Sequence, residues 1–342
     1  MEQGRRAFLG GAVAYGAAAA FLEGARGATP DEVATVLGPV PTSALGVTLV
    51  HEHVLVDFVG AAAVSPDRYD ADEAFRVALP HLQQLSRRGC RTLVECTPAY
   101  IGRDVALLRR LSEASGLHLV TNTGYYGAAD DKFVPAHAFE ESADALSARW
   151  IAEHAEGIED SGVHPGLLKT GVDAGPLSEI DGKLVRAAAR CHLRTGLSVA
   201  VHTGDGTAAM GVIDTLRSEG VSPRAYVWVH AQNEPDPELH VRAARAGAWV
   251  ELDGVSESAL DRHVETVTGL IRRGHLSSLL ISQDAGWYHV GEEGGGRFRG
   301  YTYLFDTFLP ALRRAGVSEA EIQALLVQNP ARALRREVRR DA

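Results

Sequence analysis

The run Val47-Thr48-Leu49-Val50 leads directly into His51-Glu52-His53. Extended backbone sends alternate side chains to one face, so imidazoles at i and i+2 converge and could share one metal ion. Alone, such a doublet serves equally well as two structural histidines. Three more apolar runs end in ligand types: Leu197 to His202, Tyr226 to His230, and Leu279-Leu280-Ile281-Ser282-Gln283-Asp284. A further run, Gly166-Leu167-Leu168-Lys169-Thr170, puts a lysine where packing expects an apolar side chain. An ammonium buried beside a cationic centre is strongly disfavoured. Lysine fits if CO2 carboxylates its nitrogen, giving a carbamate whose two oxygens can bridge two ions. Otherwise Lys169 snorkels outward or pairs with Asp173.

These residues need a frame that gathers strand ends. From about Thr35 onward short apolar runs alternate with longer amphipathic ones. Strands are predicted near Gly46–His53, Arg91–Cys96, Leu117–Thr123, Gly166–Thr170, Leu197–Thr203, Ala225–His230, Ala248–Leu252 and Ser278–Asp284. Helices are predicted between them, for example over Asp72–Arg88, Arg103–Ser115, Ser142–Asp160 and Ile180–Thr195, with Leu107, Leu108 and Leu111 facing inward. Eight strands alternating with helices favour an α/β fold of the (β/α)8 TIM-barrel type, in which functional groups collect at the C-terminal strand ends. An open doubly wound sheet would announce a Gly-rich phosphate turn after its first strand; here that position is His-Glu-His. No linker divides residues 29–342, which read as a single domain.

The formal charge of −10 argues against a nucleic-acid partner. The basic run Arg335, Arg336, Arg339 and Arg340 reads as a solvated helix end. Cys90, Cys96 and Cys191 match neither a disulfide framework nor a zinc motif, and a strand between Cys90 and Cys96 holds them too far apart to bridge. Residues 1–28 differ from the rest: Arg5-Arg6-Ala7-Phe8-Leu9 precedes a Gly/Ala-rich tract. This has the form of a twin-arginine export signal, with an uncleaved anchor or a disordered tail as the alternative. The tract is short and Ala-rich for a bilayer span, so no stable membrane anchor is expected, and the folded chain is expected outside the cytoplasmic membrane, periplasmic or secreted.

The set His51-x-His53, Lys169, His202, His230 and Asp284 resembles the phosphotriesterase family of the amidohydrolase superfamily. Gly38-Pro39, the run Gly46 to His53, Ile101-Gly102-Arg103-Asp104, Gly157-Ile158-Glu159-Asp160-Ser161-Gly162 and Asn329-Pro330-Ala331-Arg332 extend the likeness over nearly the whole mature chain. The resemblance implies a metal-dependent hydrolase with two divalent ions: His51, His53 and Asp284 hold one, His202 and His230 the other, and carboxylated Lys169 and a hydroxide bridge them. Such donors suit zinc, with Mn, Co or Fe as alternatives. Two ions, a carbamate, a carboxylate and a hydroxide leave about one positive charge, which favours an anionic transition state. Asp284 would act as general base. Barrels of the family resembled are often dimers, so a homodimer is one expectation.

Within that family, Tyr126 resembles a tyrosine that lactonase members place beside the metals; ordinary pocket lining is its other reading. Phosphotriesterase members carry an acidic residue and a histidine where this chain has Asn233 and Gly254, which points toward lactones or other carboxylic esters. Phosphotriester hydrolysis and a non-catalytic metal-containing binding protein are the alternatives. Asp253 remains to orient a neighbour or contact substrate. The loop after Asp284 reads either as a lid or as a solvated surface loop; as a lid it would present Trp287, Tyr288 and Arg297 to a small-molecule ester. Asp130, Asp131 and Lys132 could add polar contacts.

Overall fold

Eight strands run parallel and in sequence: β1 (Val47–Glu52), β2 (Cys90–Glu95), β3 (His118–Val120, resuming at Asn122–Thr123), β4 (Leu167–Val172), β5 (Val199–Thr203), β6 (Tyr226–Val229), β7 (Trp249–Leu252) and β8 (Leu279–Ile281). The structure is a computed structural model that describes Thr29 and residues 31–341; the expected export signal over residues 1–28 lies outside the described residues. Just past β8 the ring closes on β1, where the Asp284 amide donates to the His51 carbonyl (3.1 Å) and the His53 amide to the Ala285 carbonyl (2.8 Å). Around the strands lie α1 (Ala71–Arg87), α2 (Val105–Ser115), α3 (Ala143–Glu156), α4 (Glu179–Thr195), α5 (Gly206–Ser218), α6 (Pro237–Ala246), α7 (Leu260–Arg272) and α8 (Leu309–Arg314). The chain is the (β/α)8 barrel that its alternation predicts. Among the described residues no helix is long and apolar enough to cross a membrane.

Local chemistry starts and stops these helices. Asp104 caps α2 by accepting from the Leu107 amide at 2.9 Å, and the helix ends at Gly116 with φ of 72°. Ser178 and Asp181 form a reciprocal capping box on α4. The long helix expected to Asp160 breaks at Gly157, whose φ of 103° takes the chain out of α3 into a separate 3-10 turn, Ile158–Asp160. Near the C-terminus two π-helical turns, Leu304–Phe308 and Ala324–Gln328, precede Pro310 and Pro330. Proline lacks the amide that closes an α-turn and its ring crowds the carbonyl four residues back, so a widened turn fits there.

Each strand contributes one residue to an inner apolar layer: Val50, Val94, Val120, Leu167, Ala200, Val227, Trp249 and Leu280. Leu45, Ala333 and Leu334 belong to the same cluster and plug the barrel base. Alternate strand residues, among them Leu49, Leu93, Leu168, Val201, Trp228 and Ile281, face the helices in a second, larger core. Burying each such side chain stabilises by about 1.5–3 kcal/mol. One register shift matters for chemistry. Leu49 pairs with Leu93 but Glu52 pairs with Glu95, so β1 carries an extra residue there. The bulge lets Val50 face the inner layer while its neighbour His51 lines the mouth.

The basic C-terminal run departs from expectation. The last helix ends at Leu334, and Arg339, only 6% exposed, donates to the Ser198 hydroxyl at 3.1 Å. The Arg339 amide donates to His192 Nε2 at 2.9 Å, so this segment crosses the barrel base instead of ending a solvated helix. Cys90, Cys96 and Cys191 are buried free thiols.

Candidate metal centre

His51, His53, Lys169, His202, His230 and Asp284 line one cavity of about 450 Å³ at the C-terminal strand ends. Within it, His51, His53 and Asp284 bring ligand atoms within 4.8 Å of one another, a group able to hold a metal ion. His53 Nε2 lies 3.1 Å from Asp284 Oδ1 and His51 Nε2 lies 3.8 Å from it. The His202 and His230 ring centroids are 4.4 Å apart, and His51 and His230 are 5.0 Å apart. All six expected ligands therefore share one floor.

Three histidines are held by their Nδ1 atoms. His51 Nδ1 sits 2.8 Å from Glu251 Oε1, His230 Nδ1 2.6 Å from Asp253 Oδ1, and His53 Nδ1 2.7 Å from the Thr97 hydroxyl. Carboxylates behind imidazoles fix the tautomer and ring plane and leave Nε2 as the free donor. A second ligand-type group, His51, His230 and Asp253, is this support read from behind, because its short contacts use Nδ1. Asp253 is further saturated by the Gln232 amide at 2.7 Å and is fully buried. It touches histidines and does not line the cavity, so of its two expected roles the geometry fits orienting a neighbour and not contacting substrate. Glu251 escapes a search for strand-end ligands because it lies inside β7. Its signal is the Glu251-x-Asp253 spacing, which puts two acids on the inward face.

Two of the expected ligands stand just past their strands with left-handed backbone, His230 at φ of 62° and Asp284 at 50°. Such conformations cost about 1–3 kcal/mol each unless the surroundings enforce them. Asp253 enforces the first by accepting the His230 amide at 3.0 Å. Glu52 enforces the second: its carboxylate accepts from the Ser282 hydroxyl (2.8 Å) and the amides of Gln283 (3.0 Å) and Ala285 (2.7 Å). This explains why β8 stops at Ile281 and not at Asp284. Gly286 follows at φ of 103°, where a Cβ would lie 1.7 Å from the His53 carbonyl oxygen, so only glycine fits.

The electrostatics suit cation ligands. Burial lowers His51 to about 4, against the pull of Asp253, and drives His202 well below its ordinary value with help from His230 and Lys169. Burial opposes ionisation of Asp284, but His53, His51 and His230 around it hold the carboxyl below its usual range. Burial also lowers Lys169, which is 2% exposed and whose Nζ lies 3.4 Å from the Thr170 carbonyl and 5.4 Å over the Tyr126 ring. The Asp173 carboxylate accepts from the Ala129 and Asp130 amides, so the alternative pairing of Lys169 with Asp173 is not formed. Asp284 Oδ1 is buried without a hydrogen bond of good geometry. A carboxylate oxygen drawn close to two imidazole Nε2 atoms, with a buried and weakly partnered amine beside them, is what a cation site looks like from the protein side.

Around this floor the walls are apolar: Val56, Phe58, Ile101, Phe133 and Trp287, with Tyr126 and Lys132 as the polar additions. The Tyr126 ring packs on Gly171 and lies 5.0 Å from the His202 ring. Trp287 leans on His53 at 4.7 Å and donates from Nε1 to the Asp284 carbonyl at 2.8 Å. Two expected substrate contacts fall elsewhere. Tyr288 and His289 pair with Leu55 and Val56 as short strands, which turns Tyr288 away from the mouth; it is 3% exposed and its hydroxyl donates to Glu73 at 2.6 Å. Arg297 is exposed and does not line the cavity. The loop's base is clamped by the Gly286–Arg299 bridge, and Gly295 lies against the Tyr288 ring.

The phosphotriesterase family model matches residues 31–334. A phosphotriesterase homology protein of Mycobacterium tuberculosis is 29% identical over 90% of this chain and 98% of its own length. An aryldialkylphosphatase of Saccharolobus solfataricus is 26% identical over 84% of this chain and 94% of its own. A phospho-furanose lactonase of Mycoplasmopsis agalactiae is 28% identical over 87% and 90%. With strand-end histidines, buried lysine and αL aspartate in one barrel mouth, the chain belongs to the phosphotriesterase family of hydrolases.

Proposed function

We propose that this hydrolase cleaves carboxylic esters, lactones foremost, at a centre of two divalent cations held by the barrel mouth. The convergence of His51, His53 and Asp284 beneath an apolar cavity carries this reading. His51, His53 and Asp284 would hold one ion and His202 with His230 the other. Lys169 would lie between them. Burial lowers its pKa, and a neutral amine is the form that adds to CO2, forming an N–C bond and releasing a proton. Bound there, the ions, zinc foremost, would make hydroxide available at neutral pH and draw electron density from the ester carbonyl.

The chain supplies the rest. Asp284, held ionised, can take a proton at its carboxylate and return it to the leaving alkoxide. Tyr126 stays protonated because burial raises its pKa, and so can donate a hydrogen bond toward the ester. Phe58, Ile101, Phe133 and Trp287 exclude bulk water and select an apolar acyl or ring portion. Asn233 and Gly254 stand where phosphotriesterase members carry an acidic residue and a histidine, which supports an ester over a phosphotriester. Export of the folded barrel, as residues 1–28 suggest, is part of the same proposal.

The test is a substrate panel of lactones, acyclic carboxylic esters and phosphotriesters, assayed with the full chain alongside elemental analysis. Lactone turnover that disappears on chelation and returns with divalent cations is the expected result. Phosphotriester turnover exceeding that of every carboxylic ester would overturn the substrate assignment, and full activity without metal would overturn the centre itself.

A further inference from the structure

The barrel has a second concave site at its opposite end. A cavity of about 350 Å³ opens where the chain enters β6, β7 and β8, under the C-terminal tail. Its lining includes Arg224, Arg332, Arg335 and Arg339, with Trp249 as an apolar wall and Glu337 as the one carboxylate. In a chain of net charge −10 this concentration of guanidinium groups is local and directed.

The arginines are built in to different degrees. Arg339 is 94% buried by the tail's own fold and donates to Ser198 and to the carbonyls of Arg332 (3.2 Å) and Arg335 (3.0 Å). The Arg332 guanidinium lies 5.1 Å over the Trp249 ring. Arg335 pairs with Asp31 at 2.8 Å, both partners being half or more exposed. Arg224 makes no ion pair among the described residues, and its stem lies where a Cβ on Gly247 would stand 2.7 Å away. The nearest acid to Arg339 is Glu337, at 3.9 Å. Burial first, then Arg224 and Arg335, lower the pKa of Arg339 against the pull of Glu337. Four guanidiniums against Glu337 and Asp31 leave an excess positive charge of two around a cavity of small-molecule size.

We propose that this base cavity binds the phosphate group of a small dianion, free phosphate or a low-molecular-weight phosphomonoester, at a site separate from the metal centre. The guanidinium fork matches phosphate oxygens in geometry, and a phosphomonoester carries about −1.5 to −2 charges at neutral pH, matching the excess. The occupant would tie Arg224 on the barrel to Arg335 on the tail, bracing the segment that seals the barrel base, with Arg339, whose own N–H groups are engaged by Ser198 and two carbonyls, adding charge from beneath.

Calorimetric titration of the full chain with inorganic phosphate and with glycerol 3-phosphate, at constant ionic strength, tests this. Both the wild type and two exposed-site variants, Arg224→Ala and Arg335→Ala, are titrated. Saturable binding weakened about tenfold or more in each variant, with ester turnover unchanged, is expected. A tenfold preference for glycerol 3-phosphate identifies a phosphomonoester site; equal affinity identifies free phosphate. Binding unaffected by both substitutions places the anion at the metal centre and overturns the proposal, as does absence of binding or an equal response to chloride.

Discussion

The two ends of this barrel are built from opposite charges under the same topology. At the mouth, Glu251 and Asp253 are buried against imidazoles, Glu52 is buried beneath the Asp284 turn, Asp284 lies half-buried beside His53, and left-handed backbone at His230, Asp284 and Trp287 aims side chains inward. At the base, arginines from the tail and the strand entries surround a cavity, and Leu45, Ala333 and Leu334 close the interior. Buried acids gathered around histidines make a site that wants cations; guanidiniums without enough acids make one that wants an anion. The mouth spends conformational strain to place chemistry, whereas the base is held by packing. Changes at the mouth should therefore cost activity before stability, and changes at the base the reverse.

The largest predicted effect is at the mouth. Asp284→Asn keeps the side chain's shape while removing the charge and the proton acceptor that the proposed mechanism assigns to it, and should lower kcat about 10²- to 10⁴-fold with an unchanged melting temperature. A parallel loss of melting temperature would show that Asp284 belongs to the fold. Next, Leu334→Ala at the base should cost about 2–5 kcal/mol in denaturant unfolding while kcat of the folded enzyme stays put. Asp253→Asn lies between the two classes. By releasing His51 and His230 it should weaken metal affinity about 10- to 100-fold, measured by chelator competition, with little effect on unfolding of the metal-free chain.

The smallest expected effect is a pH dependence at the base. His154 Nε2 lies 3.3 Å from an Arg336 nitrogen, and burial together with Arg336 lowers its pKa from 6.5 to about 4. The folded state therefore binds fewer protons than the unfolded chain between these values. Its contribution to stability is complete above 6.5 and is lost as pH falls toward 4. The melting temperature should drop between pH 7 and pH 5, and His154→Gln should shrink that drop. An unchanged drop would assign the acid sensitivity to other groups.

Much of this was legible in the sequence because the local signal and the fold agree. Short apolar runs, buried on both faces, mark the strands, and strand-end polar residues mark the mouth. What escaped depends on contacts distant in sequence. The end of β8 is set by Glu52, some 230 residues away, through bonds to Ser282, Gln283 and Ala285. Tyr288 looked like a loop residue facing substrate, but pairing of its segment with Leu55 and Val56 rotates it onto Glu73. Arg339 looked solvated within a basic run, yet the tail buries it against Ser198 and His192. Glu251 carried a signal that a search restricted to strand ends passes over.

If the proposed cation centre at the mouth carries ester cleavage, turnover must follow bound metal. Metal-to-protein ratio and lactone turnover should be measured on the same samples of full chain, as chelator removes metal and added zinc restores it. A ratio approaching two, with turnover that rises and falls with it, is the expected result. Lactone turnover that persists undiminished in samples stripped of metal would contradict it.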